Sequence, residues 1–143
     1  MGIKYSNNLL SVFEEAHDVT LKQAMSKAVD IADEALEVAD EKMKDVIETT
    51  PSSIVDKDNR VDTGLMRDSV KNGRMQQVGK NHWVGEVGWI SKLEDYFLTQ
   101  EYGGKTPSSW GRLGGKTISP MHMLTQAKVE LDTYLRERIS NLD

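Results

Sequence analysis

The chain has no cysteine, which excludes disulfide bridges, thiol nucleophiles and thiolate metal sites together. Histidine is almost as scarce. His17, His82 and His122 stand apart, without the H-x-x-x-H spacing and acidic partner of a zinc site. No metal and no organic cofactor are therefore expected. No apolar run approaches the roughly 20 residues that cross a bilayer, so no membrane partner is expected either. The opening stretch MGIKYSNNLLSVFEEAHD lacks a basic segment followed by an apolar one, which leaves no expectation of a secretory signal. Gly2 and Ser6 match a myristoylation motif too loosely to carry one. Internal repeats and low-complexity tracts are also missing.

What is present is the composition of one globular domain, with 143 residues, 38% hydrophobic and 29% charged. The charge is uneven. Residues 1–50 hold 5 lysines and 11 acids, whereas residues 51–120 hold 10 basic and 8 acidic side chains. An acidic helical region is a poor grip for a phosphate backbone, which requires Lys and Arg.

Residues 7–17, NNLLSVFEEAH, predict a short helix capped by Asn7 or Asn8. From about Val19 to Thr49, Leu21, Met25, Ala28, Ala32, Ala35, Ala39, Met43 and Val46 recur every three or four residues. That spacing predicts a long helix with one apolar face. Its central alanines invite close approach by another element. At 1.5 Å per residue it would run about 45 Å, more than a domain of about 14–15 Å radius of gyration easily covers. The face is thus either core or an intersubunit surface. Pro51 ends the helix.

Val70–Val78 and Asn81–Ile90 predict two strands, joined at Gly79-Lys80-Asn81. Trp83, Gly85, Val87 and Trp89 alternate onto one side. Residues 96–102, YFLTQEY, fit a third strand or a helical turn. Residues 103–119 hold five glycines and no acid, which predicts a flexible loop. Helical spacing returns from Pro120, with Ser119 as the expected N-cap, Leu124, Ala127, Leu131, Tyr134, Arg138 and Leu142 on one face, and Met123, Leu135 and Ile139 beside it. The expected fold class is α+β. It comprises a long N-terminal helix, an antiparallel sheet with a hairpin and a glycine-rich loop, and a C-terminal helix on the sheet. One domain spans 1–143, divided as helical 1–50, loop and corner 51–69, β-region 70–102, flexible loop 103–119 and helix 120–143.

Asp62-Thr63-Gly64 spells the D-T-G of aspartic proteases. Those enzymes bring two such loops together so that paired carboxylates share a proton. Here there is one, after the polar run Asp56-Lys57-Asp58-Asn59-Arg60 and a helical region. No catalytic residue is assigned, and no enzyme is expected. A structural corner explains more. Asp62 or Thr63 would cap a short helix begun by Gly64-Leu65-Met66-Arg67, with Leu65 and Met66 as anchors and Arg67 reaching a carboxylate or the loop carbonyls, before Ser69-Val70 enters the strand.

In that setting VDTGLMRDSV resembles the corner V-D-T-G-x-L-R-x-S-[IV] of the tail-completion, or head–tail joining, proteins of long-tailed bacteriophages. Val61, Asp62, Thr63, Gly64, Arg67, Ser69 and Val70 match, and Leu65-Met66 replaces a basic-then-leucine pair. YFLTQEYGG resembles the family's Y-A-x-Y-V-E-F-G-T through Tyr96, Glu101, Tyr102 and Gly103, with Gly104 in place of threonine. PMHMLTQA resembles P-x-x-F-L-x-P-A through Pro120, Leu124 and Ala127; Met123 replaces an aromatic residue and Gln126 a proline.

The resemblance implies a structural protein of the virion neck, resident in the host cytoplasm before assembly. It would form a ring, with six subunits the expected number, between adjacent neck and tail ring proteins. DNA would pass through and be touched only non-specifically. Interface candidates are the corner residues Asp62–Arg67 with Ser69, together with Tyr96, Glu101, Tyr102, Gly103 and Trp110. Lys105, Arg112 and Lys116 are candidates for lumen or partner contact. A tail-terminator or head-closure ring is the neighbouring reading. Two unrelated readings are a hydrolase built on Asp62, and a cytosolic helical adaptor dimerising through the Ala-rich helix.

Overall fold

The computed structural model describes residues 1–6, 21–80 and 82–141. The fold is α+β. In chain order the elements are β1 (Gly2–Ser6), α1 (Leu21–Thr49), α2 (Leu65–Asp68), β2 (Lys71–Gly79), β3 (His82–Gly88), α3 (Asp95–Tyr102), β4 (Gly104–Lys105), a 3-10 segment (Ser108–Leu113), β5 (Thr117–Ile118) and α4 (Met123–Ser140). The short helix expected at 7–17 lies outside the described residues.

Helix α1 follows its spacing. Ala28, Ala32, Ala35, Ala39, Met43 and Val46 are all buried, joined by Ile31, Leu36 and Ile47. The burial is internal to the chain: α1 lies along α4 and packs on β2 and β3. The Ala-rich face is therefore core, and offers no open surface to a second subunit. Alanine matters here because it lets α4 and the sheet approach the helix backbone closely. Burying each larger side chain along this face contributes about 1.5–3 kcal/mol.

The sheet has the order β1-β3-β2, antiparallel throughout. β1 departs from the expected all-helical 1–50, because Gly2–Ser6 pairs with Gly88–Val84. The predicted hairpin forms, with Gly79 opposite His82. An irregularity between Asn72 and Met75 breaks its register. There Asp33 Oδ1 of α1 accepts the Met75 N–H at 2.7 Å, and Asn72 Oδ1 accepts the Arg74 N–H at 2.9 Å. At Gly85 the helix side chains press directly on the sheet: a Cβ there would sit 2.6 Å from Leu36 Cδ1.

Three expectations are corrected. Residues 95–102 are helix α3 rather than part of a β-region. Residues 103–119 are an organised excursion, with β4 paired to β5. Buried Thr106 holds it together, its hydroxyl donating to the Leu113 carbonyl and accepting the Lys116 N–H. Finally, α4 begins at Met123 and Ser119 does not cap it. Its buried line runs Met123, Ala127, Leu131 and Leu135, with Leu124, Tyr134 and Ile139 partly covered. The α4 face expected at Leu124, Tyr134 and Arg138 is thus rotated toward its neighbours.

Candidate functional site

The D-T-G corner is a turn into a single helical turn. Gly64 occupies the position before α2 with φ +85°, a left-handed conformation that glycine adopts without the Cβ clash other residues meet. Thr63 Oγ1 accepts the Leu65 N–H at 3.3 Å. Neither Thr63 nor Asp62 caps the helix proper, so the expected cap is replaced by this local bond. Met66 is buried, and its carbonyl accepts the Trp89 indole N–H at 2.9 Å. Ser69 and Gly64 are buried as well, which removes Gly64, Met66 and Ser69 from any exposed interface. Arg67 pairs with Asp68 at 3.1 Å and Glu48 at 3.4 Å; Asp68 foremost holds its guanidinium above the usual range.

Tyr96 of α3 comes to this corner. It lines a depression of about 20 Å³ with Asp62, Gly64 and Arg67. Burial foremost, then the charges of Glu94 and Asp62, raises the Tyr96 hydroxyl pKa. Among the described residues Asp62 is the one carboxylate lining this depression.

Glu101 has a different place from the one expected. It is 1% exposed, and its two oxygens accept the N–H groups of Met123 at 2.6 Å and Leu124 at 2.8 Å. It is the N-terminal cap of α4, supplied from another helix. His122, just before α4, is left-handed at φ 55° and makes no side-chain cap, so the orphan amides depend on Glu101. Burial raises the Glu101 pKa, against the opposing pull of the two amides and His122. Glu101 is hence an internal fastener and not an interface side chain.

Tyr102 and Trp110 are well exposed, and Gly103 ends α3 at φ 84°. Lys105, Arg112 and Lys116 are also exposed. Lys116 reaches the Ile54 carbonyl at 3.4 Å. The structure does not gather the three cations and the corner into one pocket.

Arg60 is the functional-looking residue that sequence reasoning missed. Its guanidinium donates to the carbonyls of Pro51 and Ser119, to Gln100 Oε1 at 3.0 Å and to Ser119 Oγ at 2.8 Å. Its own N–H bonds the Ile47 carbonyl at 2.9 Å. One side chain thus ties the end of α1, α3 and the approach to α4. Burial lowers its pKa. A lone arginine in a polar run carries no periodic signal that could have marked it.

A second concave surface lies far along α1. Asp30, Asp33, Glu34 and Glu37 line an open groove of about 310 Å³ with Asn72 and Arg74. Glu34 is engaged by Tyr134 at 2.5 Å and Arg138 at 3.2 Å. The Tyr134 hydroxyl foremost holds the Glu34 pKa down. Among the described residues no group of three His, Asp or Glu side chains is set to hold a metal ion, and no helix is long and apolar enough to cross a membrane. No protein-family model, no curated protein and no solved structure matches the chain.

Proposed function

We propose that the protein is a structural component of a long-tailed phage neck, a ring subunit that joins the DNA-filled head to the tail and lets DNA pass. The observation that carries the reading is that its three resembling segments form one braced unit. Tyr96 of the second segment lies against the D-T-G corner, and Glu101 of the same segment caps the helix opened by the third. The exposed Asp62 and Thr63 of the corner, the exposed Tyr102 and Trp110, and the basic excursion are then available for neighbours in a ring, where one patch of a subunit meets a different patch of the next. The adaptor alternative required an open Ala-rich face, and that face is filled by α4 and the sheet.

Immunogold electron microscopy of purified virions tests the assignment. Label at the junction of head and tail supports it. Label confined to the capsid or the tail tip, or absent from the particles, overturns it.

A further inference from the structure

We propose that the subunit docks on a second copy of itself through opposite charge, the basic 103–119 excursion of one copy entering the acidic groove beside α1 of the next. This rests on the ring reading and names its interface.

The two surfaces lie apart on one chain. The groove is built on Asp30, Asp33 and Glu37 around the middle of α1, beside the irregular part of β2. The basic excursion is moored at the C-terminal end of the same helix. Arg60 binds Ile47 and Ser119, the Ser119 N–H bonds Ser53 Oγ at 3.0 Å, and Lys116 bonds the Ile54 carbonyl. From Asp33 to Ile47 the helix axis advances about 21 Å at 1.5 Å per residue. A patch at mid-helix and its complement beyond the C-terminal end are two different surfaces of one subunit, as a head-to-tail contact requires, and such a contact can continue until a ring closes.

The charges match. Residues 102–129 contain no Asp or Glu, so Lys105 and Arg112 project from an acid-free stretch, and neither is in an ion pair among the described residues. Trp110, 46% exposed between them, supplies the apolar anchor. In the groove Glu34 is already held by Arg138 and Asp33 by the Met75 amide. Asp30 and Glu37 are exposed and have no ion-pair partner among the described residues. Arg74 at the rim offsets part of the negative charge. The excess left for a visiting cation comes from Asp30, Asp33 and Glu37. Contacts of this kind set register and partner choice.

The test is sedimentation velocity on the full chain at rising concentration in low salt. One variant combines Asp30→Lys with Glu37→Lys, and the other Lys105→Glu with Arg112→Glu. The wild type should associate, and added salt should weaken this at least about tenfold. Each variant alone should remain monomeric. Their equimolar mixture should associate again, because the native excursion of one meets the native groove of the other and the two reversed faces are also opposite in charge. Should a reversed variant misfold by circular dichroism, the neutral pairs Asp30→Asn with Glu37→Gln and Lys105→Gln with Arg112→Gln replace it. Variants that associate as the wild type does, or a mixture that stays monomeric, overturn the docking while the ring reading stands. A wild type that is monomeric at every concentration also overturns it, and virion labelling then decides the ring reading separately.

Discussion

Glu101 Oε1 accepts the Met123 amide at 2.6 Å, with the carboxylate sealed from solvent. A side chain at the end of α3 thereby does what a local serine or aspartate usually does at a helix start. Because both amides would be orphaned in a dry site, removal costs more than an ordinary surface cap. Glu101→Ala should destabilise the fold by about 2–4 kcal/mol, and Glu101→Gln, which can satisfy one amide, by about 1–2 kcal/mol. Urea denaturation checks both values. Equal stability of wild type and Glu101→Ala would contradict the assignment.

The same residue fixes a pH signature. Burial foremost raises the Glu101 pKa from an ordinary 4.5, so the folded state holds its proton over a window where the unfolded chain has lost it. Its contribution is then largest below pH 4.5 and is lost as pH rises through the raised folded value. Glu34 has the opposite sign: its pKa is lowered, chiefly by the Tyr134 hydroxyl. Its contribution is present above its unfolded value and lost as pH falls through the folded one. Stability-versus-pH curves of Glu101→Gln and Glu34→Gln, each subtracted from the wild type, should therefore slope in opposite directions. Curves of the same slope would contradict the account.

Arg60 should not tolerate lysine. Its fork serves acceptors from three segments at once, and a single ammonium cannot reach them together. Arg60→Lys and Arg60→Ala should each cost about 1–3 kcal/mol. Hydrogen exchange should quicken at residues 51–61 and 117–123 before it changes in the centre of α1. Uniform quickening across α1 would contradict a local tie.

Two glycines separate conformational strain from crowding. Gly64 is left-handed at φ +85°, so Gly64→Ala should cost about 1–2 kcal/mol, and Gly64→Asn should cost less because asparagine tolerates that region. Gly85 fails for a different reason, since its Cβ would press on Leu36 and Met75. Gly85→Ala should cost about 1–3 kcal/mol through overpacking. Asparagine at Gly85 should be worse, not better. Thermal melts of the four variants check the contrast.

The parts legible in the sequence were those with a period. The 3.6-residue recurrence of Ala28, Ala32, Ala35 and Ala39 located α1, and alternation at Trp83, Gly85, Val87 and Trp89 located β3. Strand β1 was hidden because GIKYS is five residues long and its partner strand ends at Gly88, far along the chain. The order in 103–119 was hidden because it hangs on one buried threonine, Thr106, in a glycine-rich background. Glu101 stood out as part of a motif, yet its role as the cap of α4 depends on tertiary placement that spacing does not encode. Arg60 had no signal at all. The candidate surfaces fared likewise, because exposure of Tyr102 and burial of Ser69 are decided by what packs above them.

The proposed neck role is tested most directly by negative-stain microscopy of lysates from the gene's source, with and without the gene. Full heads and finished tails lying apart, and joined into infectious particles when purified protein is added, are the predicted result. Intact, infectious particles without the protein would contradict it.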